Sequence, residues 1–163
     1  MIKGKTIDYY MENDSLYPGL PVKIKFLNKD AKVPSYATHG DAGLDLVATS
    51  FEYDPEKDVF VYHTGIALEI PYGYVGLVFP RSSIYKQDVF MTNHVGVIDS
   101  GYRGDILVTF KYRDRNMPYA PPYKVGDKIA QLIILPYPII NFIEVEHLNE
   151  SERGTGGHGS TGK

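Results

Sequence analysis

GVIDSGYRGDILVTFKY, residues 96–112, is the stretch that decides how this chain is built. In its second half Ile106, Val108, Phe110 and Tyr112 alternate with Asp105, Thr109, Lys111 and Arg113. A period of two predicts a half-buried strand. In its first half, Asp99-Ser100-Gly101 predicts a tight hairpin that carries a carboxylate, Asp99, close to an aromatic ring, Tyr102. The same alternation recurs upstream, where Val22, Ile24 and Phe26 are separated by Lys23 and Lys25. Further strands are expected over 58–63, 65–70, 74–79, 129–136 and 140–146. Fourteen tyrosines and many β-branched residues favour pleated, half-buried surfaces. Pro71-Tyr72-Gly73, Pro121-Pro122 and Gly126-Asp127 supply turns, and a short helical segment is expected near Ser83 to Val89. Many short strands with frequent turns predict an all-β barrel or jelly-roll-like sandwich.

Composition narrows the function. A chain of 163 residues is long enough to bury a core without disulfides. It has no cysteine, which removes disulfide frameworks, thiolate metal sites and cysteine nucleophiles together. A net charge of -3 argues against a nucleic-acid partner, so a polyanionic ligand must be met by local cations. The first twenty residues include Asp8, Glu12 and Asp14 and resemble neither a secretory signal nor a transit peptide. No apolar run approaches the roughly 20 residues that span a bilayer, so the expectation is a soluble, cytoplasmic protein with no membrane partner. Residues 1–20 read as an appendage, 21–149 as the β domain, and 150–163 as a mobile arm too poor in apolar groups to pack alone.

Five polar, glycine-punctuated clusters interrupt the strands: DAGLDL (41–46), PRSSIYK (80–86), GVIDSGYRGD (96–105), GDKIAQLI (126–133) and ERGTGGHGSTG (152–162). Each puts charge and glycine where a strand should continue, and such conflicts concentrate at functional sites. An arginine and hydroxyls at a strand-to-helix turn, as at Arg81, Ser82 and Ser83, suit an anion. The last cluster combines Arg153, Ser160 and Thr161 with many free backbone amides, a composition able to wrap a polyphosphate.

In this order and spacing the five clusters resemble those of the trimeric deoxyuridine triphosphatase (dUTPase) family, from about residue 21 to the end. The resemblance implies an all-β, jelly-roll-like (β-clip) fold with a flexible glycine-rich C-terminal arm, a homotrimer with shared active sites, dUTP as substrate and Mg²⁺ as cofactor. It implies that Asp99 activates the water that attacks the α-phosphorus, releasing pyrophosphate. It places Asp45 near the metal through water, which suits an ion that keeps much of its hydration shell, while Asp41 reads as a turn residue. Arg81, Ser82, Gln131 and Arg153 would meet phosphate oxygens, although Gln131 is equally suited to be a satisfied core amide. Ser83 stands where many members have glycine, and its hydroxyl is suited to capping the following turn. Tyr102 would pack against the sugar and exclude a ribose. Asn93 and the backbone of Gly96, Val97 and Ile98 would read the uracil edge. Gly159, Ser160 and Thr161 would touch the γ-phosphate. His158 stands where the family commonly has a phenylalanine over the base, and imidazole is smaller and titrates near neutrality.

Two rivals share the fold. A dCTP deaminase-related enzyme would carry a glutamate on the strand after the hairpin, where Thr109 stands here, and would favour tryptophan at Tyr102. A non-catalytic nucleotide-binding regulator would be expected to lose the base or the arm, and this chain keeps both. His39, His63, His94 and His147 show no zinc spacing. No GxSxG elbow, Rossmann fingerprint or GK[ST] loop is present, so acyl hydrolysis, dehydrogenation and Walker-type ATP hydrolysis find no support.

Overall fold

The structure is a computed structural model, and it describes residues 19–114 and 120–157. Among the described residues ten strands follow one another: β1 (Lys23–Phe26), β2 (Leu44–Val47), β3 (Ser50–Asp54), β4 (Val59–His63), β5 (Ile66–Glu69), β6 (Tyr74–Pro80), β7 (Val89–Met91), β8 (Gly96–Ile98), β9 (Leu107–Tyr112) and β10 (Lys128–Pro136). One 3₁₀ turn, Ser82–Gln87, links β6 to β7. The strands form two four-stranded sheets, ordered β2-β10-β6-β8 and β3-β4-β9-β7, and a β1-β5 pair, all antiparallel. No described helix is long and apolar enough to cross a membrane.

The core lies where inward residues of both sheets meet. Leu46, Val78, Ile129 and Leu132 come from the first sheet, and Phe60, Tyr62, Val89, Val108 and Phe110 from the second, all buried. The strand expected from residues 106–112 is β9, and its apolar register faces inward as the alternation requires. Tyr62 meets Phe110 edge to face with ring centroids 5.7 Å apart. β1 forms at the expected place, with Val22 and Ile24 partly buried against the core but Phe26 about half exposed.

The sequence reading departs from the structure at three points. Residues 140–146, expected as a strand, form no strand and leave Phe142 91 % and Ile143 80 % exposed. The alternation there is real, but no described strand pairs with it. The helical expectation near 83–89 is met by a 3₁₀ turn that stops at Gln87, where Asp88 takes a left-handed conformation (φ 49°), and β7 begins at Val89. No side chain caps that turn, whose N-cap is Arg81, so the capping role expected of Ser83 is not found.

Candidate functional site

β2, β10 and β6 lie side by side, so three clusters far apart in sequence become neighbours. Asp45 on β2 is in register with Gln131 on β10, and Gln131 with Phe79 on β6, two residues before Arg81. Asp45 is 2 % exposed, and its amide donates to Ser35 O at 2.9 Å. Arg81 Nε donates to Asp45 Oδ1 at 3.1 Å, while Lys128 Nζ lies 2.7 Å from Oδ2. Arg81 also reaches the Lys128 carbonyl at 3.4 Å. One buried carboxylate thus holds two cations at one sheet end. Burying it alone would be costly; two opposite charges offset that cost.

Oδ2 receives no hydrogen bond of good geometry despite the short approach of Lys128. At 2.7 Å the two charges form an ion pair at a buried oxygen. No group of three or more His, Asp or Glu that could hold an ion directly is found among the described residues. The carboxylate of Asp45 is a hard oxygen donor, of the kind that meets Mg²⁺ through its retained waters. Lys128 is a residue that sequence reasoning missed. Its only signal was a place inside the GDKIAQLI cluster.

Gly43 sits against Gln131: a Cβ there would come within 3.2 Å of the glutamine Cβ and Cδ. The first aspartate of the cluster, Asp41, closes a turn by accepting from Thr38 N and Thr38 Oγ1, both at 2.8 Å. Those two bonds hold its carboxyl below the usual range.

β8 carries the third cluster. It pairs with β6 through Gly96↔Val78, Val97↔Leu77 and Ile98↔Gly76, and it is the last strand of its sheet. Its other edge therefore offers backbone donors and acceptors. Asn93 lies beside it, with Nδ2 3.5 Å from where a Cβ on Gly96 would stand. Asp99 follows β8 directly, exposed, and its carbonyl accepts from Tyr102 N at 3.0 Å in the expected turn. The Tyr102 hydroxyl donates to Asp105 O at 2.9 Å. Ser82 is exposed and Ser83 partly buried in the 3₁₀ turn beside Arg81. Thr109 on β9 shares a hydrogen bond with the hydroxyl of Thr92.

Arg153 Nε donates to Gly156 O at 3.0 Å, and Gly156 N to Arg153 O at 3.1 Å, so its described bonds stay within the arm. His158, Gly159, Ser160 and Thr161 lie outside the described residues.

Comparison with known proteins identifies the family. A family model described as dUTPase matches residues 29–162. A deoxyuridine 5'-triphosphate nucleotidohydrolase of Dictyoglomus turgidum is 43% identical over 146 residues, 86% of this chain and 97% of its own length. One of Corynebacterium diphtheriae is 40% identical over 154 residues, 93% and 99% of the two chains. Among solved structures, a Staphylococcus bacteriophage 80alpha dUTPase mutant with dUpNHpp superposes with a TM-score of 0.75 at 28% identity, over 88% of this chain and 99% of that one. A phage phi11 dUTPase mutant from S. aureus, described for its coordination of a structural Mg(II) ion, gives 0.65 at 25% identity, over 78% and 98%. Motif order, sheet order and likeness over most of its length lead to one conclusion: the chain belongs to the dUTPase family.

Proposed function

We propose that this chain is a dUTP diphosphatase, which hydrolyses dUTP to dUMP and pyrophosphate and so limits uracil in DNA while supplying dUMP. One observation supports the assignment of roles: the sheet order β2-β10-β6 sets Asp45 and Gln131 beside the end of β6 that leads into Arg81, whereas β8 leaves the other end of β6, where Ile98 faces Gly76, straight into Asp99.

The chemistry requires the Asp99 end of one copy to meet the Arg81 end of another, as shared sites in a homotrimer allow. Asp99, exposed on a turn, accepts a proton from the water that attacks the α-phosphorus, a general-base contribution of about 10²–10⁴-fold. The bond to the bridging oxygen breaks in line, and the charge passes to the departing pyrophosphate. Arg81, oriented by Asp45, meets that charge together with Lys128, Gln131 and the hydroxyls of Ser82 and Ser83. A preset cation needs no reorganisation as charge develops. Mg²⁺, bound through the triphosphate with Asp45 facing its water shell, would supply further charge neutralisation. Uracil is read by Asn93 and the outer edge of Gly96, Val97 and Ile98. Backbone groups set for O4 and N3–H leave the amino group of cytosine unmatched. Tyr102 lies against C2′ of the sugar. Arg153, with His158, Gly159, Ser160 and Thr161, closes over the phosphates and expels water.

A homotrimer with shared sites accounts for two features left over by the single chain. Residues 139–148 expose Ile139, Ile140, Phe142, Ile143, Val145 and Leu148, and the arm begins immediately beyond them. An arm that leaves its own domain along an apolar strip is suited to serve a neighbour's site.

The test is pyrophosphate release from dUTP with Mg²⁺, beside dCTP, dTTP and UTP, with Asp99→Asn as the blank. Release from dUTP alone, lost in the variant that still binds nucleotide, is expected. Binding without release would favour a regulator, and ammonia from dCTP a deaminase.

A further inference from the structure

The hairpin that carries Asp99 and Tyr102 is fastened to the rest of the fold by residues given no role so far. The Asp105 carboxylate faces the junction of β4 and β5 and meets three consecutive residues there. Gly65 N donates to Oδ1 at 2.9 Å, Thr64 Oγ1 donates to Oδ1 at 3.3 Å, and His63 Nδ1 lies 2.9 Å from Oδ2. The carbonyl of the same residue accepts the Tyr102 hydroxyl at 2.9 Å. Asp105 therefore joins the ring of Tyr102 to the body of the protein, with its side chain on one and its main chain on the other.

The surroundings permit little else. A Cβ on Gly104 would stand 2.4 Å from the Tyr102 hydroxyl oxygen, so the ring folds back over a residue that must be glycine. Gly65, whose amide binds Asp105, has φ +69°, a left-handed conformation that glycine adopts without strain. Arg103 Nη1 closes the other side of the loop, donating to Ser100 O at 2.6 Å and Tyr102 O at 2.8 Å, and reaching Leu68 O on β5 at 3.5 Å. Yet Tyr102 itself is 42% exposed, so packing alone does not immobilise its ring.

We infer that Asp105 is a positioning residue for sugar selection: it holds the Tyr102 ring at a fixed height, so that a ribose 2′-hydroxyl meets an obstacle that cannot swing aside. The inference rests on the proposed reading, in which Tyr102 lies against the sugar. Exclusion by shape depends on stiffness, because a ring free to move by about 1 Å admits the larger sugar. Attraction to the deoxy sugar depends on it far less. Loss of the fastening thus affects UTP more than dUTP.

The experiment compares kcat/KM for dUTP and UTP in the wild-type chain, Asp105→Ala, Asp105→Asn and Tyr102→Phe, with thermal melting of each. In Asp105→Ala the dUTP-to-UTP ratio is expected to fall about tenfold or more, chiefly through a lower KM for UTP. Asp105→Asn keeps an oxygen for Gly65 N and should stay within about threefold of wild type. Tyr102→Phe cuts the link at its other end without touching the carboxylate, and its ratio should fall by about threefold or more. An Asp105→Ala protein that melts lower but keeps the wild-type ratio overturns the inference, leaving a purely structural fastening. If that protein does not fold, an unchanged ratio in Tyr102→Phe overturns it instead. A wild-type chain that releases no pyrophosphate from dUTP overturns the underlying reading, and the inference falls with it.

Discussion

The side chain of Tyr62 is bonded twice to the backbone of Tyr123: its hydroxyl donates to the carbonyl at 2.9 Å and accepts from the amide at 3.0 Å. Tyr62 is fully buried on β4, and Tyr123 lies just before the turn that opens β10, the strand of Lys128 and Gln131. A bond across the core thus fixes where β10 begins. Tyr62→Phe strands a buried donor and a buried acceptor, which costs about 1–3 kcal/mol. A thermal melt should record a fall of several degrees.

The same hydroxyl sets an alkaline limit. Burial pushes its pKa up from 10.0 to about 12. The folded state holds this proton more tightly than the unfolded chain, so the stabilisation is complete below pH 10.0 and lost as pH rises through about 12. Denaturant melts across that range should show a steeper decline for the wild type than for Tyr62→Phe. Equal slopes would mean that other tyrosines govern alkaline unfolding.

Asp45→Asn should damage both stability and turnover. It leaves Arg81 and Lys128 facing each other without their shared counter-charge. Breaking a fully buried pair costs about 3–5 kcal/mol, and partial exposure of both cations reduces this to about 2. We expect kcat/KM for dUTP to drop by about tenfold or more as Arg81 loses its orientation. The Mg²⁺ concentration for half-maximal rate should rise as well; an unchanged value would remove Asp45 from the metal's surroundings.

The arm should be separable from the fold. Removing residues 152–163 is expected to leave the melting temperature within a degree or two and to lower kcat/KM for dUTP by about a hundredfold, through loss of the closing contacts. Within it, His158→Phe offers a larger face to the base and should lower KM for dUTP. A raised KM would mean that the imidazole contributes something a phenyl ring cannot.

Assembly can be tested on the apolar strip. Replacing Phe142 and Ile143 by serine removes two side chains that are 91% and 80% exposed in the single chain. A monomer would tolerate the change and become more soluble. A homotrimer that buries the strip should dissociate, as sedimentation equilibrium would show.

Much of the fold was legible because alternation reports burial on one face. β1 and β9 announced themselves in this way, and β4, β5, β6 and β10 fell where the apolar runs lay. β2, β3, β7 and β8 were harder, since each has only three to five residues and too few periods to count. Residues 140–146 mark the opposite limit. Periodicity states that a segment has an apolar face but not which chain covers it. Among the candidate site residues, Asp99, Arg81 and Gln131 stood out by type and setting, whereas Asp45 was singled out only through the family resemblance. The pairing of Asp45 with Lys128 depends on β2 lying beside β10, a long-range register that no local pattern encodes.

That pairing also governs how the protein behaves in salt. Asp45 sets one negative charge against two positive ones, Arg81 and Lys128, inside a chain whose net charge is -3. An approaching polyphosphate is repelled from afar and attracted at contact. At physiological ionic strength charges in open solution are screened beyond about 8 Å, whereas partly buried neighbours are screened much less. Added salt therefore weakens the repulsion before it weakens the attraction. Nucleotide association should quicken as ionic strength climbs from low values, the reverse of capture by a basic surface.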